Sequence, residues 1–138
     1  MPRRLKVYLD NSVISAYFDK RNPERKRITE AFFQQEERFE MFISERTLDE
    51  IDKAHSYKLR KKMRCFVEGY AVLEMTDDVK RLAEEYLRYG ALPRSHPDDA
   101  RHIAFAVING IEYLLSWNFM HIVRMRTRKI VRMVNNLE

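Results

Sequence analysis

Short apolar runs alternate with longer stretches of helical period along the chain. Leu5, Val7, Tyr8 and Leu9 form the first run, which stops abruptly at Asp10-Asn11-Ser12. That change predicts a strand followed by a helix capped by Asn11 or Ser12, whose side chains accept from the orphan N–H groups of a first turn. Val13, Ile14, Tyr17 and Phe18 recur at helical spacing until Asn22-Pro23 breaks the pattern. A second helix is predicted to carry Ile28, Ala31, Phe32 and Gln35 on one side. Met41-Phe42-Ile43 is a brief strand, and Ser44 caps a helix bearing Leu48, Ile51 and Ala54.

Leu59, Met63, Phe66, Val67 and Tyr70 then trace one helical face, with Lys58, Arg60, Lys61, Lys62 and Arg64 mostly on the other and Gly69 at the end. Residues 71–75 read as a strand. Thr76-Asp77-Asp78 opens a helix with Val79, Leu82, Ala83, Tyr86 and Leu87 inward, ended by Gly90 with Pro93 beyond. His96-Pro97-Asp98-Asp99 leads the most apolar helix, through Ala100, Ile103, Ala104, Val107, Ile108 and Ile111. A strand over 113–116, a turn or short helix over 118–122 and a last strand over 130–134 complete the pattern. Strands alternating with helices predict an α/β fold with a mainly parallel central sheet between helical layers.

Composition narrows this picture in three ways. A length of 138 residues with only three Gly and four Pro fits one domain over 1–138 without a linker. Lys and Arg outnumber Asp and Glu by 26 to 21, a net charge of +5 that suits a polyanionic partner without requiring one. The lone cysteine, Cys65, rules out an internal disulfide or a cysteine-based zinc cluster, and its place in the helical row predicts a buried, inert thiol. The N-terminus has no signal-like apolar stretch and no segment reaches about 18 apolar residues, so a cytoplasmic protein without a membrane span is expected.

The chemistry lies in acids at element ends. Ligands of open parallel sheets gather outside the carboxyl ends of the strands, where Asp10 is predicted to sit. Taken alone, Asp10 reads as a helix cap before it reads as a ligand, and Glu50, at the border of an apolar stripe, as a solvated flank residue. Asp98 and Asp99 open a helix whose dipole favours acids in its first turn. That helix is apolar enough to be buried, however, and two carboxylates at its start call for a counter-charge such as a divalent cation. Asn118, just past a strand, occupies the same kind of position as Asp10 and is also a common turn residue. His102 and His121 are expected to be structural, since no His-rich ligand spacing occurs.

Three segments carry a family resemblance: Val7-Tyr8-Leu9-Asp10-Asn11-Ser12, Ser44-Glu45-Arg46-Thr47-Leu48-Asp49-Glu50-Ile51 and Asp99-Ala100-Arg101-His102-Ile103-Ala104-Phe105-Ala106. In that order they resemble the three acid-bearing motifs of PIN domains. Gly110-Ile111-Glu112-Tyr113-Leu114-Leu115-Ser116-Trp117-Asn118-Phe119 is similar to the family's fourth motif. The likeness is to prokaryotic PIN proteins of the VapC toxin kind and runs nearly end to end.

The resemblance implies a three-layer α/β/α fold and hydrolysis of RNA phosphodiester bonds with Mg²⁺ or Mn²⁺. Asp10, Glu50 and Asp99 match the family's three acids; Asp99 is preferred to Asp98 because the family acid directly precedes the small residue, here Ala100. Asp98 is left as an auxiliary ligand or cap, and Ser12 as a group that orients water or phosphate. Asn118 departs from the Asp found in many members; its amide oxygen can still ligate but adds no charge, which puts a second metal in doubt. The resemblance also implies an RNA substrate, an antitoxin partner over the acidic groove and a homodimer. Arg124, Arg126, Arg128, Lys129 and Arg132 are candidates for tracking RNA phosphates, or else a solvated charged face. A PIN fold that binds RNA or protein without cleaving is the alternative that Asn118 keeps open. A receiver-like signalling domain is disfavoured, because no strand-end Lys completes its pocket.

Overall fold

A computed structural model describes residues 4–118. The expected strand over 130–134, most of the turn over 118–122, His121 and the basic residues from Arg124 to Arg132 lie outside the described residues. The described elements run β1 (Leu5–Leu9), α1 (Asn11–Phe18), α2 (Pro23–Phe33), a single 3-10 turn (Glu36–Arg38), β2 (Phe39–Ser44), α3 (Glu45–Asp52), α4 (Tyr57–Phe66), β3 (Ala71–Leu73), α5 (Asp77–Arg88), α6 (Pro97–Ile108) and β4 (Tyr113–Leu115).

The four strands form one sheet in the order β3-β2-β1-β4, and every pairing is parallel. Tyr8, at the centre, stands opposite Phe42 on one side and Leu114 on the other. Strand side chains alternate between faces, which divides the core in two. Val7, Leu9, Met41 and Ile43 point to one side, where they meet Val13, Ile14, Phe33, Ile51, Met63 and Val67 from α1 to α4 and the turn after α4. Tyr8 points to the other, packed with Val79, Leu82, Tyr86, Ile103, Ala104 and Phe105 of α5 and α6. The result is the expected three-layer α/β/α arrangement.

Helix ends follow local chemistry. Ser44 and Thr47 form a reciprocal cap at the start of α3, and Thr76 accepts from the Val79 N–H to start α5. Gly90, at φ +76°, and Gly110, at φ +65°, end α5 and α6 in the left-handed conformation that glycine adopts without steric cost. In both places the next N–H reaches back to a carbonyl in the last turn, Ala91 to Tyr86 and Ile111 to Ala106, each at 2.9 Å.

Several local expectations are corrected. The cap of α1 is Asp10, whose side chain accepts from the Ser12 N–H; neither Asn11 nor Ser12 takes that place. Helix α2 buries Thr29 and Phe33, while Ile28 and Ala31 face outward. Phe33 wins the inward position because it completes an aromatic cluster with Tyr17 and Phe66, at centroid distances of 5.6 and 4.8 Å. Helix α4 stops at Phe66, before Gly69, because the chain must turn through residues 67–70 to enter β3 beside β2. Cys65 is exposed, not buried. It lies two residues after the inward Met63, roughly 200° around the helix axis. Among the described residues, no helix is long and apolar enough to cross a membrane.

Candidate active site

The parallel sheet brings the ends of β1, β2 and β4 to one edge. Asp10 follows β1 there and is only 3% exposed. Its Oδ1 accepts from the Ser12 backbone N–H at 3.0 Å and the Ser12 hydroxyl at 2.5 Å, and its Oδ2 accepts from the Ser116 hydroxyl at 2.5 Å. Ser12 Oγ in turn accepts from the Trp117 N–H at 2.8 Å, and Ser116 Oγ from the Asn118 N–H at 2.9 Å. Two hydroxyls thus tie the loop after β4 to the carboxylate after β1. Burial pushes the Asp10 carboxyl above its ordinary range, opposed first by the Ser116 and Ser12 hydrogen bonds, while the neighbouring Glu50 charge adds to the rise.

Glu50 reaches the same edge from α3, the helix that Ser44 starts at the end of β2. Its side chain is 23% exposed, and Oε1 lies 3.0 Å from Nε2 of His102, a residue of α6 that is 1% exposed. Asp10, Asn11, Ser12, Glu50 and Asn118 share the lining of a polar pocket of about 270 Å³, with Asp19 and Arg25 at its side. Arg25 also stacks over the Trp117 ring, 4.9 Å from its centroid. The buried Asn11 Oδ1 has no hydrogen-bond partner among the described residues. This oxygen, two carboxylates, the serine hydroxyls and the Asn118 amide make a hard donor set suited to Mg²⁺ or Mn²⁺.

The other sequence candidates stand nearby. Asp99 lies in the first turn of α6, one helical turn before His102 and therefore on the same side of the helix, but it does not line this pocket. Asp98 is held by two arginines, with its Oδ1 at 2.6 Å from Arg46 and 2.9 Å from Arg101. No group of three or more His, Cys, Asp or Glu side chains among the described residues is arranged to hold a metal ion. Asp10 and Glu50, with neutral oxygens, water and substrate phosphate, make a donor mixture that Mg²⁺ accepts.

Sequence reasoning missed Ser116, Tyr8 and the link from His102 to Glu50. Ser116 had the same signal as Ser12, a hydroxyl directly after an apolar strand. Tyr8 in a buried strand and His102 on a buried helix face each had to find hydrogen-bond partners. Their partners belong to distant segments, so the pairing itself could not be read.

Parallel strands in this order, helices on both faces and acids at the carboxyl edge make the PIN-like α/β/α fold. Among solved structures, VapC20 from Mycobacterium tuberculosis, described as a sarcin-ricin loop cleaving toxin, is similar with a TM-score of 0.68. The match covers 83% of this chain and 92% of VapC20 at 16% sequence identity, a likeness of fold. No family model matches the sequence, and no curated protein does so.

Proposed function

We propose that the chain is a metal-dependent endoribonuclease acting as the toxin of a toxin–antitoxin pair. The observation that carries this reading is the meeting of Asp10 and Glu50, 40 residues apart in sequence, in one polar pocket at the sheet edge of a PIN-like fold. Asp10, Glu50 and Asp99 are the proposed metal-binding acids, with Asn118 as a neutral fourth member. Ser12 holds the Asp10 carboxylate, and Asp98 is an auxiliary group whose charge is directed to Arg46 and Arg101. A bound Mg²⁺ or Mn²⁺ supplies Lewis-acid polarisation of a phosphodiester oxygen and activation of water.

The chain's own residues prepare this chemistry. Asp10 keeps a carboxylate where water is scarce, which favours binding of a cation. Asn11 offers beside it an oxygen that is unbonded among the described residues. Arg25, at the side of the pocket, is suited to an RNA phosphate. RNA cleavage, the activity class named for VapC20, is carried over as a class only; the particular RNA is left open. An antitoxin over the acidic edge, a homodimer and a cytoplasmic location belong to the same proposal.

The test is cleavage of a mixed RNA pool by the purified chain. Cutting should require Mg²⁺ or Mn²⁺, stop with EDTA and disappear in Asp10→Asn. Undiminished cutting by that variant would remove Asp10 from the site. The alternative, a fold that binds RNA or protein without cleaving, is favoured by Asn118, which brings no charge to the pocket. Metal-independent RNA binding with no cleavage would establish it.

A further inference from the structure

Behind Glu50 runs a buried chain of hydrogen bonds through four elements, α6, β1, β2 and α3. His102 Nε2 lies 3.0 Å from Glu50 Oε1, and His102 Nδ1 lies 2.5 Å from the Tyr8 hydroxyl. The Tyr8 oxygen lies 2.7 Å from Ser44 Oγ, which accepts from the Thr47 N–H at 3.2 Å. The Thr47 hydroxyl donates to the Leu9 carbonyl at 3.1 Å, beside Asp10 in the chain.

Donor counting gives this chain a direction. An ionised Glu50 can only accept, so His102 must carry its proton on Nε2. In a neutral ring Nδ1 then accepts, which commits the Tyr8 hydroxyl to donate to it. With its proton used, the Tyr8 oxygen accepts from Ser44. Each link points toward Glu50. Tyr8 is fully buried, and its ring packs against His102 and Phe105 with centroids 5.6 and 6.2 Å away, leaving little freedom to reorient. Thr47 and Glu50 sit on the same short helix, so the chain fixes α3 at its cap and again at the acid.

We propose that His102 is a positioning residue for Glu50: its Nε2–H holds one carboxylate oxygen so that the other serves the pocket shared with Asp10, and Tyr8 fixes the tautomer this requires. Burial alone obliges the ring nitrogens to find partners; what points to positioning is that one partner is the pocket's own carboxylate. The inference rests on the metal-binding reading of Asp10 and Glu50. Loss of such a supporting partner typically weakens metal affinity by about 10–100-fold.

The experiment measures Mn²⁺ affinity of the full chain by calorimetry, without RNA, alongside ¹⁵N NMR of the histidine rings. His102→Leu should weaken Mn²⁺ binding by about 10–100-fold. His102→Gln, whose side-chain N–H can replace the donor, should recover much of that loss. Tyr8→Phe removes one oxygen, so it should weaken binding and turn a single Nε2–H ring signature into a mixture. If His102→Leu does not fold, the Tyr8→Phe measurements decide. Wild-type affinity in folded His102→Leu, or an unchanged ring signature and affinity in Tyr8→Phe, would overturn the positioning role while Glu50→Gln still loses the metal. If Asp10→Asn and Glu50→Gln both bind Mn²⁺ like wild type, the metal reading fails and the positioning role falls with it.

Discussion

Asp10 performs two tasks that conflict in energy. It caps α1 through the Ser12 N–H, and it keeps a carboxylate in a place where burial disfavours the charge. The folded chain therefore holds the Asp10 proton to a higher pH than the unfolded chain does. Between those two pKa values the folded state binds more protons, so stability falls as pH rises; above the folded value the whole cost is present. Asp10→Asn keeps a good cap and removes the charge. At pH 7 without divalent ions the variant should melt above wild type, and the difference should shrink as the pH is lowered through the carboxylate range. Added Mn²⁺ should raise the wild-type melting temperature alone, since only a state that binds the ion is stabilised by it. Thermal melts at several pH values, with and without Mn²⁺, check both outcomes.

At the scale of elements, two N-caps separate local from tertiary work. Thr76 caps α5 from an exposed position, accepting from the Val79 N–H at 3.2 Å. Thr76→Ala should cost about 1 kcal/mol, the usual value of a cap. Ser44 makes the same local bond, and it is also fully buried and bonded to Tyr8. Ser44→Ala should cost about 2 kcal/mol, the cap plus one buried hydrogen bond. Denaturant unfolding of the two variants measures the difference. Helix existence and most starts were legible for the reason Thr76 illustrates: Ser, Thr and Asp act on N–H groups two or three residues away. The orientation of α2 and the end of α4 were less legible. Phe33 turns inward because Tyr17 and Phe66 wait there, and α4 ends where β3 must meet β2. Both causes lie outside the helices concerned.

Across the whole molecule, the sheet separates two cores and delivers residues from both to one edge. Phe105 belongs to the core of α5 and α6, is fully buried, and stacks near Tyr8. Phe105→Ala should cost about 3–5 kcal/mol, as large-to-small changes in a packed core do. It should also weaken Mn²⁺ binding, since the Tyr8 ring loses a wall; calorimetry on the folded variant tests that coupling. The alternation of apolar runs and helical periods determined the parallel α/β class by itself, because periods of 2 and 3.6 residues demand different faces. The short segments around Asp10, Glu50 and Asp99 determined which acids to consider. What only the tertiary structure decided is their company: Asp10 with Ser116, Glu50 with His102, and Asp98 with Arg46. Those pairs span elements far apart in the chain, and strand order and helix packing, which no local pattern encodes, bring them within hydrogen-bonding distance.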